Sequence, residues 1–194
     1  MKIYLLVAGL SATTICYAEP VSTIKSLPVS PMVKDSVAPV IPSTPMMFAE
    51  ILNVLGLQQN FELKEAKVAN IEASISRRKR YILYNPGYIN WINKTTGDKW
   101  AAMALLAHEI GHHLNGHTIR KSGSRPNLEL EADEFTGFIM HKLGASLEQS
   151  QRVMLYIANI TGSKTHPGRD LRKAAIQKGW DRAAAHTNDL ASMQ

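Results

Sequence analysis

Apolar residues recur at helical spacing at Met47, Ile51, Val54 and Leu55, and Gly56 follows as a stop, so the pattern predicts a first helix over 46–57. From Asn60 to Asn85 the period shortens to two. Phe61, Leu63, Val68, Ile71, Ala73 and Ile75 alternate with polar residues, and Tyr81-Ile82-Leu83-Tyr84 forms a short β-prone run ended by Asn85-Pro86-Gly87. This predicts a strand pair followed by a turn. Thr95-Thr96-Gly97-Asp98 offers caps for a helix from about Lys99 to Asn115. After a loop with Gly123 and Pro126, Asn127 is the cap candidate for a helix over 128–143, closed by Gly144. Ser146 and Gln149 fit a capping box that opens a helix to about Ile160, and Pro167 opens another to about Lys178. The expected class is α+β, mainly helical, with a small antiparallel β-sheet.

The first 45 residues read differently. Met1-Lys2 is a positive start, Ile3 to Ile15 an apolar run, and Cys16-Tyr17-Ala18 supplies small residues before Glu19. This has the form of a secretory signal peptide over 1–18, which implies export to the periplasm or the medium. A membrane anchor is the competing reading, although the run is shorter than the roughly 20 apolar residues a span needs. Pro20, Pro28, Pro31, Pro39, Pro42 and Pro45 then interrupt residues 19–45, which read as an extended linker. The folded domain is expected over 46–194. Cys16 is the only cysteine, so cleavage after Ala18 leaves neither a disulfide nor a thiolate nucleophile, and any metal site must use His, Asp and Glu.

With 194 residues, 45% of them hydrophobic and 20% charged, the chain can bury a core without disulfides. The net charge of +6 gathers partly in Arg77-Arg78-Lys79-Arg80 and in the C-terminal third. A solvated basic face accounts for it. The same charge permits peripheral association with an anionic membrane surface. No nucleic-acid motif accompanies it, so nucleic acid is not an expected partner.

The chemistry concentrates in His108-Glu109-Ile110-Gly111-His112, which fits H-E-x-x-H. On a helix, residues four apart share a face, so both imidazoles can reach one zinc ion at about 2.0–2.1 Å. Glu109 lies one residue round, beside the metal, where it can take a proton from water. Gly111 costs about 1 kcal/mol relative to alanine inside a helix and points to a close approach. His113 and His117 are expected to face solvent or to stand behind the ligands. A third histidine in the longer H-E-x-x-H-x-x-G-x-x-H pattern is missing, because Asn115 and Thr118 hold the last two positions. Glu129-Leu130-Glu131-Ala132-Asp133-Glu134 offers a carboxylate instead. Glu129 and Asp133 share a helix face, so Glu129 can bind zinc while Asp133 orients a ligand histidine. Glu131 then points elsewhere.

His108-Glu109-Ile110-Gly111-His112 followed by Glu129-Leu130-Glu131-Ala132-Asp133 resembles the gluzincin zinc metallopeptidases that include HtpX, the CAAX prenyl proteases and BepA. Thr165-His166-Pro167 with Arg172 resembles a further segment of that family. The resemblance covers about residues 60–180. It implies a zincin-like domain with one zinc ion on His108, His112 and Glu129. It also implies Asp133 and Arg172 as supports, and His166 as a group that aids the transition state or guards the metal. Relatives hold extended peptide on an edge strand, for which Tyr81, Ile82, Leu83 and Tyr84 are the candidates. The expected function is a zinc metalloendopeptidase acting on polypeptide substrates of the envelope or medium. The alternatives are a catalytically silent or autoinhibited zinc-binding chaperone or adaptor, and a hydrolase of non-peptide amides.

Overall fold

Ala101 to Ala107 leave no polar stripe, and a helix apolar on all sides must be buried on all sides. In the computed structural model, which describes residues 40–119 and 126–192, every residue from Ala101 to His108 is buried. The described elements follow one another as α1 (Thr44–Leu55), β1 (Glu62–Glu65), β2 (Ile71–Ser76), β3 (Lys79–Tyr84), α2 (Pro86–Thr96) and α3 (Trp100–Leu114). A 3-10 turn (His117–Ile119), α4 (Pro126–Lys142), α5 (Leu147–Gln151), α6 (Met154–Ile157) and α7 (Arg169–Ser192) complete them. The α3 helix is the axis: the sheet and α1 pack on it with Met47, Ile51, Phe61 and Ile82, and α4 with Ile139 and Met140. Each such fully buried side chain contributes about 1.5–3 kcal/mol. The mainly helical α+β class holds at this level.

The sheet is mixed, not antiparallel. Its order is β1-β3-β2, with β1 parallel to β3 and β2 antiparallel to it. Residues 66–70 carry the chain past the end of β3. They are pinned there by Ala66 N–H to Tyr84 O, Asn85 N–H to Asn70 O and Asn85 Nδ2 to Val68 O. Alternation along a strand is blind to the direction of its neighbour, and so could not reveal this. The β2–β3 hairpin closes on Arg77 and Arg78, whose φ values of 48° and 65° are both left-handed. Asn-Gly is the usual sign of such a turn, and two arginines conceal it in the basic run.

Three helix boundaries also differ from expectation. Asn85-Pro86-Gly87 is the start of α2. The Asn85 side chain accepts from Gly87 N–H and Tyr88 N–H at 2.9 and 3.3 Å, and Pro86 takes the first helical position. The expected helix after Ser146 has its capping box but breaks into α5 and α6. The last helix continues through Gly179 to Ser192. The domain itself opens at Thr44, inside the expected linker. The signal segment, most of the linker and Gly123 lie outside the described residues. No described helix is long and apolar enough to cross a membrane.

Helices α4 and α7 pack in close contact. A Cβ on Gly137 would stand 1.8 Å from Ile176 O, and one on Gly179 would stand 1.8 Å from Glu134 O. The two backbones therefore touch. Gly111 does the same for α3 and α4: a Cβ there would meet the Phe135 ring at 3.0 Å and Ala132 Cα at 3.4 Å. These approaches set the distances in the cleft.

Candidate metal centre

His108 and His112 project from one face of α3, and Glu129 from the first turn of α4 reaches across to them. His108 Nε2 lies 3.1 Å from His112 Nε2 and 3.3 Å from Glu129 Oε2, and His112 Nε2 lies 3.6 Å from Glu129 Oε1. Three bases thus turn their donor atoms toward one point. Zinc held tetrahedrally at about 2.0–2.1 Å keeps its ligand atoms about 3.3 Å apart, so the spacing and donor set fit a zinc ion. Carboxylates favour a positive charge on His108. Burial pushes the His108 imidazole down, but Asp133, with Glu129 and Glu109, overrides it and holds the group up at about 10. Burial, with His108 beside it, pushes His112 down to about 3, which leaves its nitrogen lone pair available to a metal.

Asp133 and Arg172 stand behind the first histidine. His108 Nδ1 faces Asp133 Oδ1 at 2.9 Å. Arg172 grips the same carboxylate with two parallel hydrogen bonds, Nε to Oδ2 at 2.7 Å and Nη2 to Oδ1 at 2.8 Å. Asp133 is fully buried and Arg172 nearly so. Burial raises the Asp133 carboxyl, and His108 and Arg172 outweigh it and hold the group below the usual carboxylate range. Arg172→Lys keeps the charge but loses the fork. It is expected to lower stability by about 1.5–3 kcal/mol, the worth of one hydrogen bond to a charged group. Chemical denaturation reads this, and an unchanged midpoint would show that the paired geometry contributes nothing.

Glu109 turns the other way, toward the sheet. Its Oε2 accepts from Ala73 N–H of β2 at 2.7 Å, and burial, opposed in part by His108 and that N–H, pushes its carboxyl up to about 7. The cavity between α3, β2 and the 157–166 segment measures about 560 Å³, and Glu72, Ala73, His108, Glu109, Glu129 and His166 are among its lining residues. No protein-family model, no curated protein and no solved structure matches this chain. The reading of the site therefore rests on its own geometry.

His166 stands at the mouth of the cavity. Ser163 Oγ accepts from Thr165 N–H and His166 N–H at 3.3 and 3.0 Å, and Thr165 Oγ1 lies 2.8 Å from His166 Nδ1. These contacts direct Nε2 to within 3.8 Å of Glu129 Oε2, with about half of the side chain in solvent.

One expectation is overturned, and another holds in part. Tyr81 to Tyr84 cannot be an edge strand, because β3 is paired on both sides. Tyr81 O lies 2.8 Å from His113 Nε2, and Tyr84 OH donates to Glu65. The edge that meets the cavity is β2, with Asn70 to Ala73 lining it. Nor do His113 and His117 face solvent, since both are buried. His113 ties α3 to β3, stacks on Phe61 at 5.2 Å and receives Arg80 on its carbonyl. His117 does stand behind a ligand, as the Nδ1 atoms of His112 and His117 are 2.9 Å apart. Glu131 turns away from the cluster, as expected, but it turns toward His117. The signal for this contact was weak: a histidine five residues after a ligand, just past a glycine.

Proposed function

We propose that this chain is an exported zinc metalloendopeptidase of the gluzincin type, acting on polypeptide substrates in the periplasm or the medium. The observation that carries the reading is the convergence of His108, His112 and Glu129, with Glu109 between them and an unpaired sheet edge. One zinc ion would be held by those three residues. Bound there, it supplies a Lewis acid that acidifies water and polarises a carbonyl. Glu109 takes the proton of the attacking water and returns it to the leaving amine. His166 Nε2, at the rim, donates to the developing oxyanion.

Strand β2 is the candidate that holds the substrate. Among the described residues it pairs with β3 on one side only, so alternate backbone groups face the cleft, and an extended peptide can add to them as a further strand. Ala73 N–H already shows that orientation through its bond to Glu109.

A second reading has its own support. His166 is half-exposed and within 3.8 Å of a proposed ligand, close enough to take a metal position and silence the site, as in an envelope chaperone or adaptor. Digestion of a peptide library with zinc-loaded protein, with and without chelator, separates the two. The proposal expects cleavage that chelator abolishes and zinc restores. No cleavage by the wild type, together with cleavage by His166→Ala, would favour the silenced site. No cleavage by either would reject the peptidase reading.

A further inference from the structure

The two proposed ligand histidines are held by different means. Behind His108 stands a buried carboxylate. Behind His112 stands another histidine: His112 Nδ1 and His117 Nδ1 are 2.9 Å apart, and His117 Nε2 is 2.9 Å from Glu131 Oε2. The rings of His112 and His117 lie 5.1 Å apart, inclined by 66°. Gly116, with φ at 70°, turns the chain beneath the end of α3 and brings His117 back against His112. The His117 side chain is 3% exposed, while that of Glu131 is 57% exposed.

Proton placement in this row is determined by its two ends. A neutral imidazole carries one N–H and one lone pair. His112 Nε2 faces the donor atoms of His108 and Glu129, so a ligand role requires its lone pair there and its proton on Nδ1. His117 Nδ1 must then accept, which moves its own proton to Nε2, and Nε2 donates to the Glu131 carboxylate. With His112 a ligand through Nε2 and both rings neutral, this assignment alone satisfies every atom in the row.

We infer that His117, anchored by Glu131, is a positioning residue that fixes the tautomer and ring orientation of His112 for the metal. The inference rests on the metal-centre reading above and adds to it a residue outside the ligand set. It differs from the support of His108 in one respect. The carboxylate charge stands one ring further from the metal and half in solvent, so the first histidine is braced by the core and the second from the surface.

The test uses the full chain, with zinc affinity measured by competition against a chromophoric chelator and the His112 tautomer read from ring nitrogen shifts. Partners behind a ligand are worth about 10–100-fold in metal affinity. His117→Phe, which fills the volume without an acceptor, is expected to weaken zinc by about that factor and to mix the His112 tautomers. His117→Gln, whose amide oxygen can accept, should recover part of the affinity. Glu131→Ala lies at the surface and should weaken zinc by about threefold or more without altering the zinc-free melting temperature. A merely space-filling His117 would change melting but not affinity. Wild-type affinity in folded His117→Phe, wild-type affinity in Glu131→Ala, or a wild-type His112 protonated at Nε2 would each overturn the inference. A wild type that binds no zinc would instead sink the metal-centre reading, and the tautomer of the zinc-free protein would then judge His117 alone.

Discussion

Glu109→Gln is expected to abolish peptide hydrolysis while zinc still binds. The substitution keeps the size of the side chain, and its amide oxygen can still accept from Ala73 N–H, the bond that now holds Oε2 at 2.7 Å. What it removes is the ability to take a proton. A positioned general base contributes about 10²–10⁴-fold, and among the described residues the two carboxylates nearest the imidazoles are already engaged. Glu129 is turned onto the two imidazoles, and Asp133 is closed off behind His108 by Arg172. A fall in kcat of about 10³-fold or more is therefore expected, with zinc content within a factor of about two of wild type. Stability should not suffer, since burial already pushes this carboxyl up to about 7 and a neutral amide removes that strain. Turnover and metal content measured on one preparation decide it. Full activity would reject Glu109 as the base, and lost zinc would make it a ligand.

Gly137→Ala is expected to cost at least about 3 kcal/mol, although alanine is the better helix former by about 1 kcal/mol. The added Cβ would lie 1.8 Å from Ile176 O and 2.9 Å from Trp180 N. Both are backbone atoms of a continuous helix, so no side chain can turn aside and α7 must move as a body. Ordinary overpacking costs about 1–3 kcal/mol, and separating the main contact between two helices lies at or beyond the top of that range. The effect should reach the cleft, because α7 carries Arg172 to Asp133. Gly179→Ala, which meets Glu134 O at 1.8 Å from the other side, should behave alike. A denaturation midpoint equal to or above wild type would show that propensity prevails and that the helices are not in backbone contact.

The same glycines show why the sequence was legible in some places and not in others. Gly179 reads as the end of a helix, because local propensity does not reveal a neighbouring backbone. Gly111 was readable as a close approach only because it sits inside a motif. The α3 helix, its motif and the α4 carboxylates could be read because helical spacing alone fixes which side chains share a face. The sheet was partly hidden, since the sign of its tight turn is a pair of left-handed arginines and a strand's own residues do not record its order in a sheet. For that reason nothing in Tyr81–Tyr84 distinguishes a central strand from an edge. The α2 helix is hidden because Asn85-Pro86-Gly87 has the composition of a turn, while Asn-Pro equally well caps and opens a helix. Spacing leaves His117 either facing solvent or standing behind the ligands and turns Glu131 elsewhere, and only the return of the chain at Gly116 joins both to His112.

The claim beneath all of this is that two imidazoles on one helix and a carboxylate on the next share a single ion. Anomalous diffraction at the zinc edge, from crystals of the zinc-loaded protein, tests it most directly. The account predicts one strong peak about 2.0–2.1 Å from His108 Nε2 and His112 Nε2 and about 2.0–2.2 Å from a Glu129 oxygen. A peak on other residues, or none, with those three side chains apart, would contradict it.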